Sequence, residues 1–140
     1  MSLNVFEYVN NLPADIRKGG DVIFKQGDTS DGRMYFVAEG ELSVEREIDG
    51  QAHVLNRLRP GDFFGEMAIL NKKPRSAKVE VTSRMARLGY LDEEMFVRIA
   101  RINPVFHYSL LKLVIQRIGQ IEDAIELAID ELNTLRGGYS

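Results

Sequence analysis

Apolar residues in the first two thirds of the chain fall in short runs separated by turn residues. Val22-Ile23-Phe24 precedes Gly27-Asp28, and Met34-Tyr35-Phe36-Val37 precedes Glu39-Gly40. Leu42 and Val44 alternate with polar residues up to Asp49-Gly50, a strong hairpin signal. Alternation resumes from His53 to Leu58 and stops before Pro60-Gly61. Lys78 to Val81 and Arg87 to Leu91 read as two more strands. Many short strands between glycine turns predict an antiparallel β-sandwich or barrel. Gly20-Asp21, Gly27-Asp28 and Gly61-Asp62 repeat in kind but not at a fixed interval, so there is no solenoid period.

Helical patterning flanks these strands. Leu3, Val5, Phe6 and Val9 could share a face of a short N-terminal helix that ends at Leu12-Pro13. Asp92 is a good N-cap, followed by Glu93 and Glu94 where a helix dipole favours acids. The short helix it starts runs to Ile102, where Asn103-Pro104 interrupts it, and Pro104 can open the next helix. That second helix extends to about Leu135, before Gly137-Gly138. The prediction is a mainly β chain with flanking α: residues 1–103 form a β-barrel with short helices, and residues 104–136 a long C-terminal helix of the same domain.

The long helix carries a second pattern. Leu111, Val114, Ile118, Ile121, Ile125, Ala128, Leu132 and Leu135 follow 3,4 spacing and fill the a and d positions of a coiled-coil seam. In that register Arg117 would meet Glu122 of a parallel partner, and Glu131 would meet Arg136. Exposed pairs of this kind contribute only roughly 0.2–1 kcal/mol each and set orientation more than stability. Phe106, Leu110 and Leu113 would cover the chain's own domain, leaving the seam for a parallel homodimer.

Composition narrows the function classes. The chain's 140 residues suit one domain, and a net charge of -3 argues against non-specific nucleic-acid binding. There is no cysteine, so disulfides and thiolate chemistry are excluded. His53 and His107 lie far apart, which disfavours a histidine metal site. No signal peptide or long apolar span is visible, so the expectation is a cytoplasmic chain without membrane contact of its own. No nucleophile–base set or paired carboxylates indicate an enzyme, and the clustered His and Glu ligands of cupins are missing.

The stretch from Phe63 to Ala77 is the most informative. Gly65 permits close backbone approach to a ligand. Gly65 to Leu70 can form a helical turn or two, whose N-terminus offers free N–H groups to an anion. Lys72-Lys73-Pro74 turns the chain back, Arg75 brings a permanent forked cation, and Ser76 adds a hydroxyl. Glu66 would be repelled by a phosphate, so it suits ribose hydroxyls instead. An Arg75 buried without an anion would be costly, so the unliganded site is expected to hold a solvent anion or stay open to water.

Phe64-Gly65-Glu66 and Pro74-Arg75-Ser76-Ala77 match, in type and spacing, the phosphate-binding cassette of the cyclic nucleotide-binding domain family. The resemblance covers about residues 15–135. It implies a β-roll or jelly-roll barrel and a 3′,5′-cyclic nucleotide ligand, cAMP more than cGMP, with no metal. It assigns the phosphate to Arg75, Ser76 and amides near Gly65, Met67 and Ala68, and the ribose 2′-hydroxyl to Glu66, with Phe64 and Ala77 bordering the cradle. Alignment from Asn103-Pro104 with the bacterial cAMP receptor regulators of the family places Arg117 and Glu122 near the base, in competition with their interchain role. Regulators of that kind continue past the long helix into a DNA-binding domain, whereas here only Gly137-Gly138-Tyr139-Ser140 follow, so no nucleic-acid contact is expected from this chain alone. The expected function is a non-catalytic sensor relaying ligand binding through its C-terminal helix. The alternatives are a degenerate structural dimerisation domain and the sensor half of a larger transcription regulator.

Overall fold

The computed structural model describes residues 10–66, 69 and 72–135, without the side chains of 118–128 and 131–135. The expected N-terminal helix, and the cassette residues Met67, Ala68, Leu70 and Asn71, lie outside the described residues. Among the described residues the strands are β1 (Ala14–Lys18), β2 (Val22–Phe24), β3 (Arg33–Glu39), β4 (Leu42–Ile48), β5 (Gln51–Leu58), β6 (Phe63–Phe64), β7 (Lys78–Val81) and β8 (Met85–Asp92). Two helices follow, α1 (Glu93–Ile102) and α2 (Pro104–Leu135).

The strands form two four-stranded sheets, in the orders β1-β8-β3-β6 and β2-β7-β4-β5, with every pairing antiparallel. The barrel expectation is thus refined to a roll of two sheets that is not closed into one cylinder. Strand β3 explains the layering. Its Tyr35 and Val37 join Leu42, Leu58, Phe64, Val79, Val81, Ala86 and Leu88 in a core between the sheets. Its Met34 and Phe36 point the other way, into a core with Phe63, Leu91, Ile99, Phe106 and Leu110. Side chains alternate across a strand, so a strand covered on both faces must be apolar throughout. That is why Met34-Tyr35-Phe36-Val37 reads as an unbroken apolar run.

The Gly-Asp turns share one device. Asp21, Asp28 and Asp62 accept hydrogen bonds from the backbone amides of Lys18 (2.9 Å), Lys25 (2.9 Å) and Arg59 (2.8 Å), each three residues upstream. A carboxylate that bonds its own turn backbone pins the strand ends locally. Gly40 marks the tightest crossing. Its φ is +92°, and a Cβ there would lie 2.3 Å from the Met85 carbonyl oxygen.

The helices begin where capping chemistry places them. Asp92 accepts from the Met95 amide at 2.8 Å and starts α1. Asn103 ends α1 by donating its amide to the Ile99 carbonyl (2.8 Å), then caps α2 by accepting from the Phe106 amide (3.0 Å). Phe106 and Leu110 are fully buried against the β3–β8 face, and Leu113 packs beside them, as their spacing predicts. Val114 is the exception. It was expected in the interchain seam, yet it is 8 % exposed within the chain's own core. A helix docked at Phe106 and Leu110 carries position 114 onto the same face, because residues four apart stack along a helix.

Phe106 has no exposed surface and joins α2 to both β3 and α1. Phe106→Ala should lower stability by roughly 3–5 kcal/mol, the range for a large aromatic removed from a packed core. Urea unfolding followed by circular dichroism checks this; a loss under 1 kcal/mol would mean that α2 is not docked through this residue.

Candidate functional site

The chain reaches the site through β6. Phe64 stacks on Tyr35 with ring centroids 5.1 Å apart, in the core between the sheets, while Phe63 faces the helices. The side chain of Phe64 therefore anchors the cradle from below. Gly65 follows with φ +79°, a left-handed value that a side chain resists. A Cβ there would lie 2.9 Å from the nearer Arg75 guanidinium nitrogen and 3.1 Å from the Arg33 carbonyl oxygen. Only glycine lets strand and guanidinium approach so closely. The amide of Ile69 donates to the Glu66 carbonyl at 3.1 Å.

Arg75 is buried: its side chain is 5 % exposed. Its backbone is tied to the β2–β3 turn, donating to Asp28 O at 2.9 Å and accepting from Gly27 N at 2.7 Å. The same turn supplies its counter-charge. Asp31 Oδ1 accepts from Arg75 Nη2, which also donates to the Arg33 carbonyl at 2.9 Å. Nη1 donates more loosely to the Gly65 carbonyl at 3.4 Å. The guanidinium carbon lies 4.0 Å from the centroid of the Phe24 ring, in cation–π contact. Nε is buried and has no hydrogen-bond partner. The sequence led to an expectation of a solvent anion or open water beside this arginine. Within the chain, a carboxylate from 44 positions upstream supplies a counter-charge, and one buried donor has no partner.

Asp31 is itself held on three sides. It accepts from the Arg33 amide (3.0 Å) and the Tyr35 hydroxyl (2.8 Å) as well as from Arg75. Burial opposes its ionisation, but these three partners together hold the carboxyl below its ordinary value. Burial, followed by the neighbouring Asp31 carboxylate, pushes the Tyr35 phenol up to about 12, so the hydroxyl stays a donor.

On the opposite wall stands a second ion pair. Arg117 of α2 donates to Glu66 Oε1 at 3.1 Å, and its guanidinium carbon sits 3.6 Å from the Phe63 ring centroid. Arg117 was placed by sequence both near the base and in an interchain pair with Glu122. The structure gives it a partner inside the chain, on the carboxylate assigned to ribose. The side chain of Glu122, like Met67 and Ala68, lies outside the described residues. Ser76 is exposed and Ala77 is buried.

Of the residues expected at the site, the structure brings Gly65 to Arg75 and Glu66 to Arg117. Sequence reasoning missed Asp31, the Phe24 face and the Phe63 platform. Asp31 sits in Ser30-Asp31-Gly32, which carries a turn signal but nothing that ties it to Arg75. Chemically the arrangement can bind an anion next to hydroxyl groups. Among the described residues no group of three or more His, Cys, Asp or Glu could hold a metal ion. Nor is any described helix long and apolar enough to cross a membrane.

A family model described as "cyclic nucleotide-binding domain" matches residues 17–103. The chain is 37% identical over 101 residues to a cAMP-dependent protein kinase type II regulatory subunit of Drosophila melanogaster, covering 70% of this chain and 26% of that protein. It is 38% identical over 89 residues to a cAMP-dependent protein kinase regulatory subunit of Dictyostelium discoideum, covering 57% of this chain and 25% of that one. It therefore spans about a quarter of the length of these curated relatives. Among solved structures, the Thermus thermophilus catabolite activator protein superposes with a TM-score of 0.77 at 27% identity, covering 98% of this chain and 68% of that one.

Because its folded carboxyl is held below the unfolded value, Asp31 stabilises the fold fully above the unfolded pKa of about 4 and loses that contribution as the pH falls through the folded value. The stability gap between wild type and Asp31→Asn should therefore be widest near neutral pH and shrink below pH about 4. Urea unfolding from pH 7 down to pH 3 measures it; a gap independent of pH would show that the charge of Asp31 contributes nothing.

Proposed function

The chain belongs to the cyclic nucleotide-binding domain family, and from that premise we propose that it is a cytoplasmic, non-catalytic sensor of cAMP. The observation that carries this reading is the buried Arg75 guanidinium, with its unpartnered Nε, beside the backbone of Gly65. A buried donor left unmatched is costly, so a ligand oxygen that meets it gains accordingly. The cyclic phosphate takes Arg75, Ser76 and the amides that follow Gly65, including those of Met67 and Ala68. The ribose hydroxyl takes Glu66. Preference for cAMP over cGMP is supported by the relatives named as cAMP-dependent kinase regulatory subunits.

Signal output follows from Arg117. It holds α2 against Glu66 and Phe63, at the carboxylate assigned to ribose. A nucleotide that engages Glu66 changes what Arg117 can bind, and so biases the position of α2. The bias is real only if one helix position binds the nucleotide more tightly than the other. Residues 1–103 act as the binding unit and residues 104–136 as the relay. Glu122, further along α2, borders the base or the dimer seam.

The relay works best in a parallel homodimer, and the seam is read differently once α2 is docked. Val114 is committed to the core, while Tyr108 (64 %), Ile115 (64 %) and Ile129 (50 %) are exposed. Tyr108, Leu111, Ile115, Ile118, Glu122, Ile125, Ile129 and Leu132 also obey 3,4 spacing. The proposed seam is this strip, with Glu122 as its one charged member. A second reading, the sensor part of a larger regulator, is favoured by the likeness to the catabolite activator protein.

Isothermal calorimetry on nucleotide-free protein should show saturable binding of cAMP, weaker binding of cGMP, and a loss of at least about a hundredfold in Arg75→Ala, as when a desolvated charge pair loses one member. Unchanged binding by Arg75→Ala would remove the cassette from the site. Ile129→Asp should shift the sedimentation of the protein from dimer to monomer and leave nucleotide binding by each chain intact; a variant that stays dimeric would place the interface elsewhere.

A further inference from the structure

The charges around the site are matched within the chain. Arg75 is paired with Asp31, and Glu66 with Arg117. The neighbouring cations are engaged elsewhere. Lys72 pairs with Glu93 at 3.0 Å, and the Arg33 side chain lies 4.1 Å from the centroid of the Tyr90 ring with Asp15 beside it. The donors of Arg75 are partly used as well. A guanidinium has five N–H groups. Both hydrogens of Nη2 serve Asp31 and the Arg33 carbonyl, and one of Nη1 serves Gly65. Nε–H and the second Nη1 hydrogen remain. Arg75 is thus a cation whose charge is largely balanced, yet which keeps two hydrogen-bond donors for a ligand.

We propose that Asp31 is a specificity-determining residue, which fits the site to a singly charged phosphodiester and disfavours doubly charged phosphomonoesters. The inference rests on the cyclic-nucleotide reading and deepens it. A cyclic 3′,5′-phosphate carries one negative charge, whereas a 5′-monoester carries close to two above its second pKa of about 6. An unopposed Arg75 would attract the dianion more strongly. With Asp31 fixed on the same guanidinium, the second charge of a monoester meets a carboxylate, and any freeing of Arg117 through Glu66 and the ribose is common to both ligands. The Asp31 side chain is 44 % exposed while Arg75 is buried, so water weakens that repulsion without abolishing it. Asp31 stays ionised at the pH where the discrimination matters, since Arg33, Tyr35 and Arg75 all bond its charged form. Products of phosphodiester hydrolysis would then leave the site instead of lingering as competitors.

The test compares cAMP with 5′-AMP by calorimetry at pH 8, in wild type, Asp31→Asn and Tyr35→Phe. Wild type should favour cAMP strongly. Asp31→Asn keeps the size and one acceptor oxygen but removes the charge, and should narrow the ratio of the two affinities by about tenfold or more, whatever happens to each separately. Tyr35→Phe removes a hydrogen bond to Asp31 and leaves its charge, so its ratio should stay within about twofold of wild type. An unchanged ratio in Asp31→Asn, or the same change in both variants, overturns the proposal, because a merely structural role would weaken both ligands alike. Should Asp31→Asn not fold, wild type is probed with dimethyl phosphate and methyl phosphate as competitors of bound cAMP. The monoanion should compete better at pH 8, and equal or better competition by the dianion overturns the inference. Failure of wild type to bind cAMP at all would instead strike the functional reading itself.

Discussion

The placement of one guanidinium constrains the rest of the structure. Arg75 is withdrawn from water between the two sheets' turns, where an isolated charge is costly. Three features make the position tenable. The β2–β3 turn bonds the backbone of Arg75 and delivers Asp31 to its Nη2. The ring of Phe24 covers its face. Gly65, lacking a Cβ, leaves the room it occupies. Elements distant in sequence thus meet around one cation that is solvated by protein. The solvation is incomplete at Nε, which is buried without a partner.

Sheet architecture and site are coupled through β3 and β6. Strand β3 is buried on both faces, so it fixes the spacing between the core of the roll and the core beneath the helices. Strand β6 is only two residues long, but Phe63 and Phe64 face opposite cores. The residues that follow, Gly65 and Glu66, are thus held between the two packed regions. Arg117 of α2 contacts both Glu66 and the Phe63 ring, so the helix and the segment after β6 share side-chain contacts.

Much of the fold was legible in the sequence because local rules and tertiary demands agree. The strands at 22–24, 34–37, 53–58, 78–81 and 87–91, the Asp92 cap and the break at Asn103-Pro104 all appear where pattern and capping chemistry put them. Strand β1 was not foreseen, since Ala14–Lys18 has little apolar alternation and Ile16 is 72 % exposed; it forms because β8 offers an edge to pair with. Val114, assigned by its spacing to an interchain seam on α2, packs in the chain's own core. Sequence periodicity cannot say which of two overlapping apolar strips a helix spends on its own domain, and Phe106, Leu110 and Val114 decide that by docking.

The sequence by itself determined the chemistry: a glycine where backbone must come close, a carboxylate and a guanidinium nine residues apart in a cassette that suits a cyclic phosphate. These are properties of residue type and local spacing, and a linear reading captures them. Only the tertiary structure decided the partners. Asp31 meets Arg75 across 44 positions and Arg117 meets Glu66 across 51, distances over which no periodicity carries information. Such long-range electrostatic pairings arise when strands and helices pack to bury apolar faces and leave charged side chains a single place in which each can be satisfied.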